Sequence, residues 1–469
     1  MSAWHRVVAR ARSFALETKG AARRFAHRTH RLVQLVRGWQ QRPGTLVVAP
    51  APAPAANGAG AAAGPGAVYV PPQGLLTPAD PLHLRVDAQL SATPTLNVLL
   101  PGLCMRGMSG GPNTILNLTY RMAAQGVPVR YLSCSADMDA DTAPLWAHVQ
   151  ALAGIPRRLP NVAFVCAHDR RKAVAIGAGD VFLASAWWTA QMVKYALPLV
   201  RPQRFLYVIQ DYEPVLHEHS TSHALAAETY GLDCAPIVNH PLLLEYLVRH
   251  GVGRFADPAF AARAAVIDPA IDRQHFFVDE HRPAGPRRLL FYARPRSAAR
   301  NLFQLGIAAL QRAAALGAFE QQAWEFLAMG DPVEDIALGR GHVLRHAPWR
   351  DFAGYAAQMR HADVLLSLML SPHPSYPPLE MAACGGLVVT NAYDVKSAQR
   401  LTALSPNIAA PAPTIEAVGD ALALAAARVG DRAARAAGAR LAAPASWAAA
   451  LAPVLPYAIA AFHDCRSRT

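Results

Sequence analysis

The chain has 469 residues, with 45 Lys and Arg against 32 Asp and Glu, and is 52% hydrophobic and 16% charged. That length and apolar content support two or three domains with buried cores and exclude a peptide, a mini-protein and a mainly disordered chain. The net charge of +13 is lopsided: residues 1–42 hold ten Lys and Arg and one acid, Glu17, so the basic character belongs mostly to an N-terminal arm.

Within that arm, Trp4, Val7, Val8, Ala11 and Phe14, then Phe25, Leu32, Val33, Val36 and Trp39, recur at helical spacing opposite arginines. Arg6, Arg10, Arg12 and Lys19 interrupt the start too often for the apolar stretch of a secretory signal. A basic amphipathic helix with aromatic residues on its apolar side is expected to lie on an anionic membrane surface. The alternatives are a solvated basic tail and a nucleic-acid arm; with no nucleic-acid fold signature present, nucleic acid is not expected as a partner.

Residues 43–72 are rich in Ala, Pro and Gly and carry no charge, and residues 43–94 as a whole read as a linker and lead-in. Beyond them, short apolar runs alternate with longer amphipathic segments, as in βα units whose parallel sheet is covered on both faces. One series of strands is predicted at Leu96–Leu103, Val127–Cys134, Asn161–Ala167, Asp180–Ala186, Arg204–Gln210 and Ala235–Asn239. A second is predicted at Arg287–Tyr292, Trp324–Gly330, His342–Arg345, Asp363–Leu370, Leu387–Asn391 and Asn407–Ala410. The fold class is therefore α/β: two doubly wound Rossmann-like domains, 95–270 and 271–440, joined near Ala265–Phe277 and facing each other across a cleft. Residues 441–469 follow as a C-terminal helix started near Ser446 and expected to cross back to the first domain.

The six cysteines form no CxxC pair, and the eighteen histidines make no HExxH, so neither disulfides nor a zinc site are expected. Chemistry is expected instead at three strand ends. The first strand runs into a glycine-rich turn containing Gly107, Gly110 and Gly111 and then into a helix of about thirteen residues, which can point free N–H groups at an anion. In the second domain, Phe291-Tyr292-Ala293-Arg294 leads to Arg296, Arg300 and Asn301, cations suited to bidentate phosphate binding, with Arg294 closest to the strand. The run Ser371-Pro-His-Pro-Ser-Tyr-Pro-Pro-Leu-Glu380 opens a helix with prolines. Ser375 and Tyr376 then present amides and hydroxyls at its positive end, with Glu380 one turn in as an acceptor for a sugar diol.

These residues resemble the retaining glycosyltransferases of GT-B architecture, family 4, and most closely the bacterial rhamnosyltransferases that build polyrhamnan chains on surface-layer glycans. The resemblance runs from about Leu96 to Trp447. It is carried by GMSGGPNTILNL, YVIQDYEP, AETYG, IDPAIDRQHFF, LLFYARP, RNLFQLG, LSLMLSPHPSYPPLEMAACGG and the late SW. It implies that Gly110 and Gly111 face a donor diphosphate, that Arg294 binds it, and that Arg300 stands where the family usually has a Lys. Glu380 matches the second member of the family's Glu-x7-Glu pair. Pro372 occupies the first, a departure that fits a 6-deoxy sugar donor. Ser375 and Tyr376 would contact the donor.

The segment Gln210-Asp211-Tyr212-Glu213 would border the cleft from the acceptor side, with Asp211, Tyr212 and Glu213 as acceptor-binding candidates. Arg294, Glu380 and Asp211 are the catalytic candidates. The departing phosphate would take the acceptor proton, and no metal is expected, because the cations around the phosphate can do a metal's electrostatic work. The expected reaction is transfer of L-rhamnose from dTDP-L-rhamnose to a saccharide or lipid-linked saccharide at the cytoplasmic face of the membrane. Other sugar-nucleotide enzymes of this architecture and a non-catalytic saccharide- or nucleotide-binding protein are the alternatives.

Overall fold

The computed structural model describes residues 70–467 apart from 109, 282–284 and 445, so the amphipathic arm and most of the alanine- and proline-rich stretch lie outside the described residues. The first sheet contains β2 (Leu96–Leu100), β3 (Val129–Ser133), β4 (Val162–Cys166), β6 (Val181–Ala184), β7 (Phe205–Ile209), β8 (Cys234–Asn239) and β9 (Ala265–Ile267). It is parallel throughout, in the order β4-β3-β2-β6-β7-β8-β9. Every residue of β2, β6, β7 and β8 is buried, which is why these segments read as unbroken apolar runs: helices cover both faces.

The second sheet repeats the plan with β10 (Arg287–Ala293), β11 (Trp324–Gly330), β12 (Ile336–Gly339), β13 (His342–His346), β14 (Val364–Leu366), β15 (Leu387–Val389) and β16 (Ile408–Ala409), in the order β12-β13-β11-β10-β14-β15-β16. Only β12 runs antiparallel. In each sheet the strand order reverses beside the first strand, between β2 and β6 and between β10 and β14, and at that switch the carboxyl ends of the strands leave a crevice.

Several expectations are corrected. Ala265–Ile267 belongs to the first sheet as its edge strand, so the joint between the domains begins after it. The lead-in to residue 94 is not all linker: β1 (Leu84–Val86) pairs in parallel with β5 (Val174–Ile176) as a two-stranded accessory sheet. The strand expected over Asp363–Leu370 ends at Leu366, and the following residues stay buried while leaving the sheet. The glycine-loop helix spans Gly110–Ala124, two residues longer than expected.

The C-terminal segment is two helices, Trp447–Leu451, capped by the Ser446 side chain, and Val454–Ser467, separated at Pro453. They bury Leu451, Val454, Ala458, Ala461 and Phe462 in the core of the first domain. Burial of Leu451, Val454 and Phe462 contributes about 1.5–3 kcal/mol each. The chain therefore ends by strapping the second domain back onto the first.

Both domains also carry the same device at the amino ends of their strands. Asp180, preceding β6, accepts the Thr95 N–H at 3.0 Å and pairs with Arg130 at 2.8 Å. Asp363, preceding β14, accepts the Arg288 N–H at 3.0 Å and pairs with Arg435 at 3.0 Å and Arg287 at 3.3 Å. Each buried carboxylate thus ties the start of its domain's first strand to the strand on the other side of the switch point and meets its charge with guanidinium.

Candidate active site

A cavity of about 610 Å³ lies between the carboxyl ends of the two sheets and is lined from both domains. Gly110 and Gly111 open the first helix on its floor. Gly110 has φ +35°, a backbone region that favours glycine, and a Cβ on Gly111 would meet the Gln210 side-chain oxygen at 2.7 Å, so a larger residue there would displace the Gln210 side chain.

Opposite them stands the end of β10. Arg294 donates from Nη1 to the Tyr292 hydroxyl at 2.9 Å, while its buried Nε has no partner among the described residues. Arg300 reaches across the domain boundary: its Nη2 lies 3.0 Å from Asp211 Oδ2, and its Nε points at Met369 Sδ. Asp211 is buried, and its other oxygen accepts from Ser371 Oγ of the second domain and from the Tyr212 amide. Asp211 and Arg300 thus both line the cavity, but as a pair that joins the two domains.

Tyr212 corrects the sequence reading. It stacks with Tyr230 and Tyr246 at 5.4 and 5.2 Å in the first domain's core and is not part of the cavity wall. Asp211 and Glu213 line the cleft, and Tyr212, in the bend between β7 and the helical turn Glu213–Leu216, packs away from it. Glu213 is buried on that wall and accepts from the Trp187 N–H at the start of helix Trp187–Ala196. Burial pushes its carboxyl up to about 8, with the nearby Asp211 charge acting in the same direction.

The helix expected after Leu370 spans Tyr376–Ala383, with Pro377 and Pro378 in its first turn. Ser375 precedes it at φ +70°, a backbone region L-residues rarely occupy. The Ser375 amide, expected to be free for a ligand, is donated to His373 Nδ1 at 2.9 Å. The Tyr376 hydroxyl is likewise engaged, 2.9 Å from Thr114 Oγ1 and 3.2 Å from Asn239 Nδ2 of the first domain, while its ring remains on the cavity wall and packs 6.2 Å from Trp447. Glu380 sits one turn into the helix and accepts from the Tyr355 hydroxyl at 2.6 Å; burial pushes its carboxyl up to about 7.

Gln210 lines the cavity as expected, and the structure adds Asn239, Tyr292, Tyr355 and His373 to the wall. Behind it, buried Lys396 donates to the Met369 carbonyl at 2.7 Å, and burial lowers its amine to about 7. Asn239 was legible, because it ends a predicted strand at the same sheet edge as Gln210. Lys396 stands in no motif, and its place depends on a loop folding over the switch point. Among the described residues no three His, Cys, Asp or Glu side chains are arranged to hold a metal ion, and no helix is long and apolar enough to cross a membrane.

Two family models match the chain in order: the N-terminal domain of WsaF over residues 95–239 and the C-terminal domain of WsaF over residues 287–423. A 216-residue stretch, 45% of the chain, is 39% identical to the O-antigen biosynthesis protein RfbC of Myxococcus xanthus and spans 15% of that protein's length. Among solved structures, Anabaena HepE in complex with UDP and glucose superposes with a TM-score of 0.50 at 14% identity, covering 79% of this chain and 99% of HepE. WaaG, a glycosyltransferase involved in lipopolysaccharide biosynthesis, gives 0.47 at 14% identity over 74% of this chain and 94% of its own.

Proposed function

Because the chain carries both WsaF domains, together spanning more than half its length, and is a glycosyltransferase of GT-B fold, we propose that it moves L-rhamnose from a nucleoside-diphosphate donor, dTDP-L-rhamnose, to a saccharide or lipid-linked saccharide during cell-surface polysaccharide synthesis. The observation that carries this reading is the convergence on one cavity of an arginine whose buried Nε is unpaired, a proline-entered helix N-terminus and a carboxyl shifted to about 7. A diphosphate fits the first two, since guanidinium and helix-end amides both favour an anion. A sugar hydroxyl fits the third: Glu380 near neutrality can accept a hydrogen bond or, protonated, donate one.

In this reading Arg294 meets the diphosphate as its charge grows on departure, together with the amides at the start of helix Gly110–Ala124. Arg300 contributes once it exchanges Asp211 for phosphate. The leaving phosphate takes the acceptor proton on the face it departs from, which gives retention without an enzymic base. Glu213, held uncharged by burial, binds an acceptor hydroxyl. The site works without a metal, its electrostatic task falling to the guanidinium groups. The basic arm would bring the enzyme to the inner, anionic face of the membrane, where a lipid-linked acceptor is presented.

Titration of the full chain with dTDP-L-rhamnose, UDP-glucose, GDP-mannose and UDP-N-acetylglucosamine tests this, with Arg294→Ala in parallel. The rhamnose donor should bind most tightly, and Arg294→Ala should weaken it by about 2–5 kcal/mol, as for removal of one partner of a buried charge pair. Tighter binding of another sugar nucleotide overturns the choice of sugar, and binding insensitive to Arg294 overturns the donor site.

A further inference from the structure

Besides Arg294 Nε and Trp188 Nε1, two further polar atoms on the cavity wall are buried without a partner among the described residues, and their neighbours fix what each can do. The first is Nε2 of His373, a residue 4% exposed. His373 accepts the Ser375 N–H at Nδ1, 2.9 Å away. Burial, reinforced by the positive charges of Arg300 and Lys396, keeps the ring neutral. A neutral imidazole carries one proton, and an accepting Nδ1 leaves it on Nε2. His373 therefore presents an unpaired N–H donor.

The second is Oδ1 of Asn239, a residue 1% exposed. Thr114 Oγ1 donates to the Gly110 carbonyl, so the Tyr376 hydroxyl donates to Thr114 and accepts from Asn239 Nδ2. This chain of donors orients the amide and leaves Oδ1 as an unpaired acceptor. The two residues flank the same tyrosine. The His373 ring lies 5.8 Å from that of Tyr376 and 5.5 Å from that of His240, the neighbour of Asn239.

A buried donor and a buried acceptor left open on one cavity wall, either side of Tyr376, are rare in folded proteins and point to a missing partner. A phosphate or carboxylate cannot donate to Asn239, and an ammonium cannot accept from His373. A hydroxyl does both. We propose that Asn239 and His373 form a hydroxyl-binding subsite shared between the two domains, in which one saccharide hydroxyl accepts from His373 Nε2–H and donates to Asn239 Oδ1. The inference rests on the reading that a sugar enters this cleft. Because one residue comes from each domain, the subsite is complete only when the domains are closed together.

Two substitutions separate this role from a structural one. His373→Asn keeps an acceptor where Nδ1 meets the Ser375 amide but removes the distal donor. His373→Gln places an amide N–H near the Nε2 position and gives up the turn. Calorimetry on the full chain would compare dTDP-L-rhamnose with dTDP alone, and methyl α-L-rhamnopyranoside in the presence of dTDP. His373→Asn should weaken one sugar-bearing ligand about five- to tenfold, the loss of one hydrogen bond, leaving dTDP unchanged and His373→Gln near wild type. Weakening of the nucleotide sugar places the hydroxyl on the transferred sugar, and weakening of the rhamnoside places it on the acceptor. If His373→Gln is the more damaged variant, or neither sugar ligand responds, the subsite is wrong and His373 only shapes the turn. If wild type binds no nucleotide sugar, the rhamnosyl reading fails and takes the subsite with it.

Discussion

The two domains agree at the amino ends of their strands and differ at the carboxyl ends. At the amino ends Asp180 and Asp363 occupy equivalent places, each accepting the N–H that begins or precedes its domain's first strand and each neutralised by arginine. At the carboxyl ends the described groups differ in kind. The first domain offers acids: Asp211, engaged with Arg300 and Ser371, and Glu213, held neutral against a helix start. The second offers a cation with an unmet Nε, a histidine with an unmet Nε2 and a carboxyl near neutrality. Repeated, fully paired groups hold the sheets together; groups peculiar to one wall and left partly open are where a ligand enters.

The largest test of that division is Asp363→Ala against Asp180→Ala. Each removes a buried carboxylate and strands guanidinium, which costs about 3–5 kcal/mol when a buried pair is broken. Asp363 faces two arginines and Asp180 one, so Asp363→Ala should lower the thermal midpoint further, while the affinity of the remaining folded protein for nucleotide sugar stays at the wild-type value. A drop in donor affinity at constant stability would break the comparison, by making the amino-end device part of the site.

A second test sharpens the contrast through pH. Glu213 rises in the folded state from an ordinary 4.5 to about 8, so between those values the folded chain holds a proton that the unfolded chain has released. Stability from this group is therefore full below about 4.5 and is lost as pH rises towards 8. Glu380, raised to about 7, acts in the same sense; His373, lowered to about 3, and Lys396, lowered to about 7, act in the opposite one. Subtraction isolates Glu213: the stability of Glu213→Gln minus that of wild type should climb by at most about 1.4 kcal/mol per pH unit across that window and level off above it. A flat difference curve in denaturant titrations would mean that Glu213 is ionised in the fold.

The same contrast explains what could be read in the chain. The strands of both sheets were visible as apolar runs because parallel strands are buried on two faces, and Gly111, Arg294 and Glu380 were visible because they stand at fixed offsets from strand or helix ends. The edge strands β9 and β12 were missed because Ala265–Ile267 and Ile336–Gly339 are short and only partly buried, which weakens the apolar signal. The partners of Asp211 and Tyr376 were illegible for another reason. Arg300 lies 89 residues from Asp211, and Asn239 lies 137 from Tyr376, each across the domain boundary. No local pattern encodes a contact that exists only once two separately folded sheets meet. Lys396 and His373 belong to the same class, since their unusual protonation follows from burial and neighbours rather than from sequence spacing.

Tyr376 is where that boundary can be loosened most gently. Its ring belongs to the second domain's wall of the cavity, yet its hydroxyl is used by Thr114 and Asn239 on the other wall. Tyr376→Phe keeps the ring and removes the tie, at about 1 kcal/mol for a lost internal hydrogen bond. It also frees the Asn239 amide to turn, so that Oδ1 no longer has to face the cavity. The expected result is a small fall in thermal stability and a few-fold rise in KM for the sugar-bearing substrate, with the affinity for dTDP alone unchanged. Loss of dTDP affinity comparable to that of Arg294→Ala would show that the hydroxyl leaves Thr114 to meet the donor. Tyr376 would then have to be counted with Arg294 and His373 among the open groups of the second wall.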